Sequence, residues 1–305
     1  MGLKQNKSNF SIVVSSNYKI AYVSIPKVAC TSMAWWFAHL EGLTDKILSR
    51  KDSFESSPDL VIHDLLYKVS PSISRSVYIE IDKILNDDQY YSFALVRNPY
   101  LRFFSAWQSK YLYQEPKQMS GFQNFPYFDL PKSFQQLAEN IECFLHHIHY
   151  SSELFCDPHF IPQSAFFSHD FKLYSAIIKL ESPKQLEVEL FRKFGNGFQS
   201  PLNYKRANET IIPFLPDLIT PKSQEYIMNL YKSDFKNFNY DREIPAKTRE
   251  FSEADLQVAI FGVEMLRGRH KRLADVCSYL NNRIKELNNR IKELEAKLAS
   301  ANDNY

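Results

Sequence analysis

Two clusters of basic and polar residues stand where a fold could use them on an anion. The loop Lys27-Val28-Ala29-Cys30-Thr31-Ser32 follows the apolar run YVSI and Pro26, and leads into MAWWFAHL. A turn between a strand and a helix aims backbone N–H groups, one ammonium and the hydroxyls of Thr31 and Ser32 above the strand end, which is how proteins hold a phosphate. The second cluster repeats the design. YSFALV runs into RNPYLRFFSAW, which sets Arg97 at a strand's carboxyl end and Ser105 on the helix that follows. Asn98 is a good N-cap and Pro99 a good first helical residue, so the boundary is well marked. Two cations at two strand ends suit a ligand with two anionic groups in the crevice there.

Two histidines add groups that titrate near neutral pH, His63 between the clusters and His159 in DPHF. Either could take a proton from a hydroxyl. His146, His147 and His149 fall on one helical stretch and read as a solvated face. GxxxxGK[ST] is absent, only seven glycines are present in the chain, and no acidic cluster suggests a metal. Any phosphate loop here is therefore built without glycine. The four cysteines, Cys30, Cys143, Cys156 and Cys277, show no CxxC pair and no zinc spacing, and read as free thiols in a reducing compartment.

The elements that must position these groups follow from the apolar pattern. FSIVV, a polar SSN turn and YKIAYVSI read as strands, and Pro26 ends the second. Met33, Trp36, Phe37 and Leu40 then fall at i, i+3, i+4 and i+7, the stripe of a packed helix. Leu60 to Ile62 reads as a short buried strand delivering His63. Helices are expected over 78–86, 133–148, 183–194 and 221–235, and a strand from Tyr174 to Leu180 that ends at Glu181. The segment from Gln114 to Lys132, with three prolines among aromatics, reads as a long loop near the site. From Leu273 a heptad sets in, with Leu273, Leu280, Leu287 and Leu294 at d and Cys277, Ile284, Ile291 and Leu298 at a. That pattern predicts a parallel two-stranded coiled coil over 273–298, with Arg290 at g facing Glu295 of a partner chain.

Composition bounds the alternatives. With 305 residues, 44% hydrophobic and 24% charged, the chain can bury a large core. A net charge of +2 argues against a nucleic-acid footprint. No signal peptide and no apolar run long enough to cross a membrane is present, so a cytoplasmic location is expected.

IPKVACTS followed by LVRNPYLRFFSAW resembles the paired signatures of the sulfotransferases that use 3′-phosphoadenosine 5′-phosphosulfate, in particular the carbohydrate type typified by chondroitin 4-O-sulfotransferases. DPHFIPQS, IIKLES and LYKSDFKNFNYD are similar to that family's later blocks, so the resemblance spans roughly residues 18–243. It implies an α/β fold like that of the P-loop kinases, with a central parallel sheet flanked by helices over 1–250; the oligomerising helix expected over 251–305 rests on the heptad and lies outside the resemblance. It also implies that Lys27 to Ser32 binds the 5′-phosphosulfate and that Arg97 and Ser105 bind the 3′-phosphate. Lys27 is then the catalytic cation, and the base is His63, where related enzymes carry a histidine, or else His159. The reaction implied is transfer of a sulfuryl group to a hydroxyl of a saccharide or glycolipid, without metal and with adenosine 3′,5′-bisphosphate as product. The animal enzymes are membrane-anchored and disulfide-bearing, so the expectation is a bacterial member acting in the cytoplasm. Two rivals are an ATP-dependent phosphotransferase and a non-catalytic nucleotide-binding scaffold built around the coiled coil.

Overall fold

The computed structural model describes residues 12–50, 53, 55, 59–76, 78–114, 129–150, 157–167, 170–195 and 210–302. Most of the aromatic loop expected from Gln114 to Lys132 lies outside these residues.

A five-stranded sheet in the order β3-β1-β2-β4-β5 carries the site. β1 (Ile12–Ser15) and β2 (Ile20–Val23) pair antiparallel, with Ile12 opposite Val23 and Ser15 opposite Ile20. β3 (Ile73–Ser76) adds antiparallel to the free edge of β1. β4 (Tyr91–Val96) runs parallel to β2, and β5 (Ala176–Lys179) parallel to β4. The sheet is thus mixed, not the all-parallel sheet expected. Only four residues separate β1 from β2, enough for a hairpin and far too few for the crossover a parallel pair requires.

Helices cover the sheet and build a second core beside it. α1 (Cys30–Leu40), α2 (Thr44–Leu48), α3 (Val61–Val69), α4 (Tyr78–Leu85) and α7 (Pro183–Phe194) accompany the sheet. Met33, Trp36 and Phe37 of the expected stripe are fully buried there, together with Val23, Phe93 and Leu95. Burial of each such side chain contributes about 1.5–3 kcal/mol. α5 (Pro99–Trp107), the π-helix Gln108–Leu112, α6 (Phe134–Tyr150), α8 (Pro221–Leu230), α9 (Lys232–Asn237) and the first turns of α10 (Glu253–Asn302) form the second core. Tyr111, Phe144 and Phe160 pack at a tilt within it, with ring centroids 4.7 and 5.2 Å apart.

The strand expected at Leu60 to Ile62 is instead the entry to α3. Ile62, Leu65, Leu66 and Val69 are its buried residues, spaced i, i+3, i+4 and i+7, and a three-residue apolar run cannot outweigh that helical period. α10 buries Leu256, Ala259, Ile260 and Val263 against the second core. Farther on, Leu280, Ile284, Leu287, Ile291, Leu294 and Leu298 are 45 to 65% exposed in the single chain. Arg290 there pairs with Glu293 of its own helix at 2.9 Å. Among the described residues no helix is long and apolar enough to cross a membrane.

Candidate active site

The loop after β2 is strained in a way that suits an anion. Lys27 and Ala29 have left-handed backbones, at φ 67° and φ 54°. Each costs roughly 1–2 kcal/mol for a residue with a Cβ, and such strain concentrates at functional sites. Ala29 is the N-cap of α1, which has no side-chain cap and no acidic residue in its first turn. An uncapped first turn after left-handed residues presents N–H groups and the positive end of the helix dipole. Val28 is buried, and its carbonyl accepts from the Tyr22 hydroxyl at 3.3 Å, so its side chain anchors the loop and only its backbone remains for a ligand. Thr31 and Ser32 are buried in the first turn, behind Cys30.

Arg97 joins the two clusters. Its Nη1 donates to the Lys27 carbonyl at 3.2 Å, which brings both strand-end cations into one crevice. Its backbone is held by Gln163, whose Oε1 accepts from Arg97 N at 2.9 Å while Nε2 donates to Arg97 O at 2.8 Å. Burial lowers the Arg97 pKa from its ordinary value, against the opposing field of Glu181. Glu181 itself accepts from the Asn98 backbone N–H at 2.7 Å and from the Tyr240 hydroxyl at 2.9 Å, so it fixes the start of α5. Asn98 caps that helix as expected, its Oδ1 accepting from Tyr100 N and Leu101 N. Ser105 is buried, and its hydroxyl has no hydrogen-bond partner among the described residues.

Arg102 shares a helix face with Ser105, as its spacing predicts, while Ser109 and Lys110 were not anticipated. Arg102 is 1% exposed and donates to three carbonyls, Pro26 O at 3.0 Å, Ile161 O at 2.8 Å and Pro158 O at 3.2 Å. It ties the Lys27 loop to the segment that carries His159. Lys27 Nζ donates to Ser109 Oγ at 2.5 Å, and Ser109 and the buried Lys110 belong to the π-helix. Arg102, Ser105 and Ser109 recur at i, i+3 and i+7, a spacing that already marks one helix face. Lys110 carried no such signal, because in a regular α-helix it lies roughly 80° off that face.

The two histidines lie in different settings. His63, in the first turn of α3, is exposed, and its Nε2 is 3.0 Å from Thr31 Oγ1. His159 is half-buried, its side chain 17% exposed, beside Asp157, whose Oδ1 lies 2.7 Å from both the His159 backbone N and Nδ1. Nε2 of His159 has no hydrogen-bond partner among the described residues. Burial lowers the His159 pKa to about 4; Asp157 opposes the fall, while Lys110 and Lys27 deepen it. The imidazole is therefore neutral at physiological pH, with Nδ1 the donor to Asp157 and Nε2 the acceptor. His146 and His149 lie exposed on α6 against Tyr150 and Tyr226, away from the crevice. Among the described residues no His, Cys, Asp and Glu side chains group to hold a metal ion.

Strand ends that deliver two cations, an uncapped helix start and a half-buried imidazole meet in one crevice of an α/β protein, an arrangement with the donors a polyanion needs. Residues 10–241 match the model of the Sulfotransferase family, and the chain belongs to that family. No curated protein and no solved structure matches the chain. The family uses 3′-phosphoadenosine 5′-phosphosulfate in general, and the donor set fits it: an uncapped N-terminus and Lys27 for one anionic end, Arg97 and the unpartnered Ser105 hydroxyl for the other.

Proposed function

We propose that the chain transfers a sulfuryl group from 3′-phosphoadenosine 5′-phosphosulfate to a hydroxyl of a carbohydrate or glycolipid. The observation that carries this reading is the bond from Arg97 to the Lys27 carbonyl, which makes one crevice of two strand-end cations. When bound, the donor supplies an activated sulfuryl group on a phosphate leaving group. The 27–32 loop and the first turn of α1 would hold its 5′ end, and Arg97 and Ser105 its 3′-phosphate. The Lys27 ammonium would offset the charge that grows on the leaving phosphate, a preorganised contribution of about 3 kcal/mol.

His159 is the better-supported base. In the proposed step the acceptor oxygen bonds to sulfur, the bond from sulfur to the phosphate oxygen breaks with its electron pair, and the hydroxyl proton passes to His159 Nε2. Asp157 would keep Nδ1 protonated and stabilise the imidazolium that forms. A pKa of about 4 is low for a base; burial is the main cause, and an anion seated beside Lys27 would offset only the smaller contribution, the repulsion from that ammonium. His63 would orient the Thr31 hydroxyl within the loop. The exposed heptad of α10 supports self-association through 273–298.

Incubation with donor labelled in its sulfate and a panel of saccharides and glycolipids tests the reading. Label is expected in an acceptor with wild-type chain and not with Lys27→Ala. Stabilisation by ATP–Mg without stabilisation by adenosine 3′,5′-bisphosphate would favour the phosphotransferase instead.

A further inference from the structure

Arg97 lies immediately past the end of β4, where neither neighbouring strand pairs its main chain. β4 pairs with β2 as far as Ala94 and with β5 as far as Val96, and the chain then turns into the cap of α5 at Asn98. A main-chain N–H and C=O left without partners at such a place cost free energy and leave the direction of the residue open. The Gln163 side chain stands in for the missing strand. A primary amide carries the acceptor and the donor of a peptide group, and Gln163 turns both on Arg97, Oε1 accepting from its N–H at 2.9 Å and Nε2 donating to its carbonyl at 2.8 Å. Gln163 is fully buried and is held in turn by the buried Asp234 of α9. That carboxylate accepts from Gln163 N at 2.7 Å and Ser164 N at 2.8 Å, and Gln163 Nε2 lies 3.4 Å from it.

A continuous run of hydrogen bonds thus leads from Asp234 through Gln163 to the Arg97 main chain, and from the Arg97 guanidinium to the Lys27 carbonyl. Apart from that last bond, the guanidinium has no hydrogen-bond partner among the described residues, so most of its N–H groups remain for a ligand. We propose that Gln163, anchored by Asp234, is a positioning residue that sets the donor specificity of the site: by fixing the Arg97 main chain it aims those N–H groups at the 3′-phosphate. This rests on the reading of Arg97 as the residue that binds that phosphate. Gln163 acts through Arg97 and need not touch the nucleotide.

The experiment is calorimetric titration of the full-length chain with adenosine 3′,5′-bisphosphate and with adenosine 5′-monophosphate, which differ only in the 3′-phosphate. The wild-type chain is expected to prefer the bisphosphate, and Arg97→Met to lose that preference. Gln163→Met, close in volume but without either amide group, should cut bisphosphate affinity about tenfold, the effect of one misdirected charged hydrogen bond, while affinity for the monophosphate changes by less than about twofold. Adding Gln163→Met to Arg97→Met should lower the preference no further, because two residues that act through one interaction are not additive. A Gln163→Met chain that keeps the wild-type preference while Arg97→Met loses it overturns the proposal and spares the reading of Arg97. A chain that binds both nucleotides equally weakly also overturns it, since a merely structural glutamine would behave that way. Should Gln163→Met not fold, Asp234→Asn, which keeps the shape but loses one of the two carboxylate acceptors, is read by the same ratio. Equal binding of the two nucleotides by the wild-type chain, or a preference that survives in Arg97→Met, refutes the 3′-phosphate reading and the proposal with it.

Discussion

The most demanding prediction concerns Arg102, whose guanidinium joins the two halves of the candidate site. Replacing it by methionine keeps the apolar volume but removes donors to Pro26 O, Ile161 O and Pro158 O, at 3.0, 2.8 and 3.2 Å. A hydrogen bond to a charged group is worth about 1.5–3 kcal/mol, so three such bonds sum to roughly 4.5–9 kcal/mol gross. Against this stands the guanidinium's own desolvation, large enough at 1% exposure to lower its pKa. Breaking a buried charged arrangement from one side nets about 3–5 kcal/mol, and that is the expected loss for Arg102→Met. Asp234 and Asp157, which both lie in its field, lose a cation as well. Urea denaturation measures it: the midpoint should fall with the slope unchanged. Arg102→Lys keeps the charge but cannot reach three carbonyls, and should lose about half as much. A loss below about 1 kcal/mol for Arg102→Met would mean that the carbonyls are satisfied by water and that the clamp does not hold the loops together.

Three further outcomes follow from the same geometry. Lys27→Ala should lower kcat about 10²–10³-fold in the sulfate-transfer assay while the fold persists, and unchanged turnover would remove Lys27 from the chemistry. His159 gives a pH signature of stability. Its folded pKa of about 4 is below the ordinary value of about 6.5, so the unfolded chain binds the proton first and stability falls as pH drops from about 6.5 to about 4. At 1.36 kcal/mol per pH unit the loss is at most about 3 kcal/mol, Asp157 adds its own only below about pH 4, and denaturation of His159→Gln should show a flatter curve in that window. Truncation after Arg272 removes the exposed heptad yet spares the buried Leu256 to Val263 segment, so light scattering at micromolar concentration should find a dimer before the cut and a folded monomer after it.

Much of the sheet was legible because β2 and β4 are apolar and each ends at a distinct breaker. YKIAYVSI before Pro26 and YSFALV before RNP are β2 and β4, and the capping by Asn98 and the stop at Gly195 are where their chemistry puts them. β3 was missed because, of its central residues, only Ile73 is buried, while Ser74 and Arg75 face solvent. The polar SSN turn was visible, but its consequence, an antiparallel first pair, is a matter of reach between strands and not of residue type. The segment around His63 failed at a different point. LVI fits a strand or a helix, and only Leu65, Leu66 and Val69, farther along, decide for the helix.

The candidate site shows the same division between residue type and register. The positions of Lys27 and Arg97 after strand ends, and of Ser105 on α5, follow from local pattern. Arg102 was visible as a residue on the right face, but its role lies in carbonyls contributed by Pro26, Pro158 and Ile161, which residue identity does not announce. Lys110 was not singled out at all: it lies buried in the π-helix, whose turn is closed by Tyr113 N on Gln108 O and held by Ile212 on one side and by α10 on the other. The register of that turn depends on two segments distant in sequence, which residue identity does not announce. Arg267→Ala removes the donor to Leu112 O, so hydrogen exchange should speed up at Tyr113 while α5 keeps its protection; unchanged protection at Tyr113 would show that the π-helix holds its register unaided.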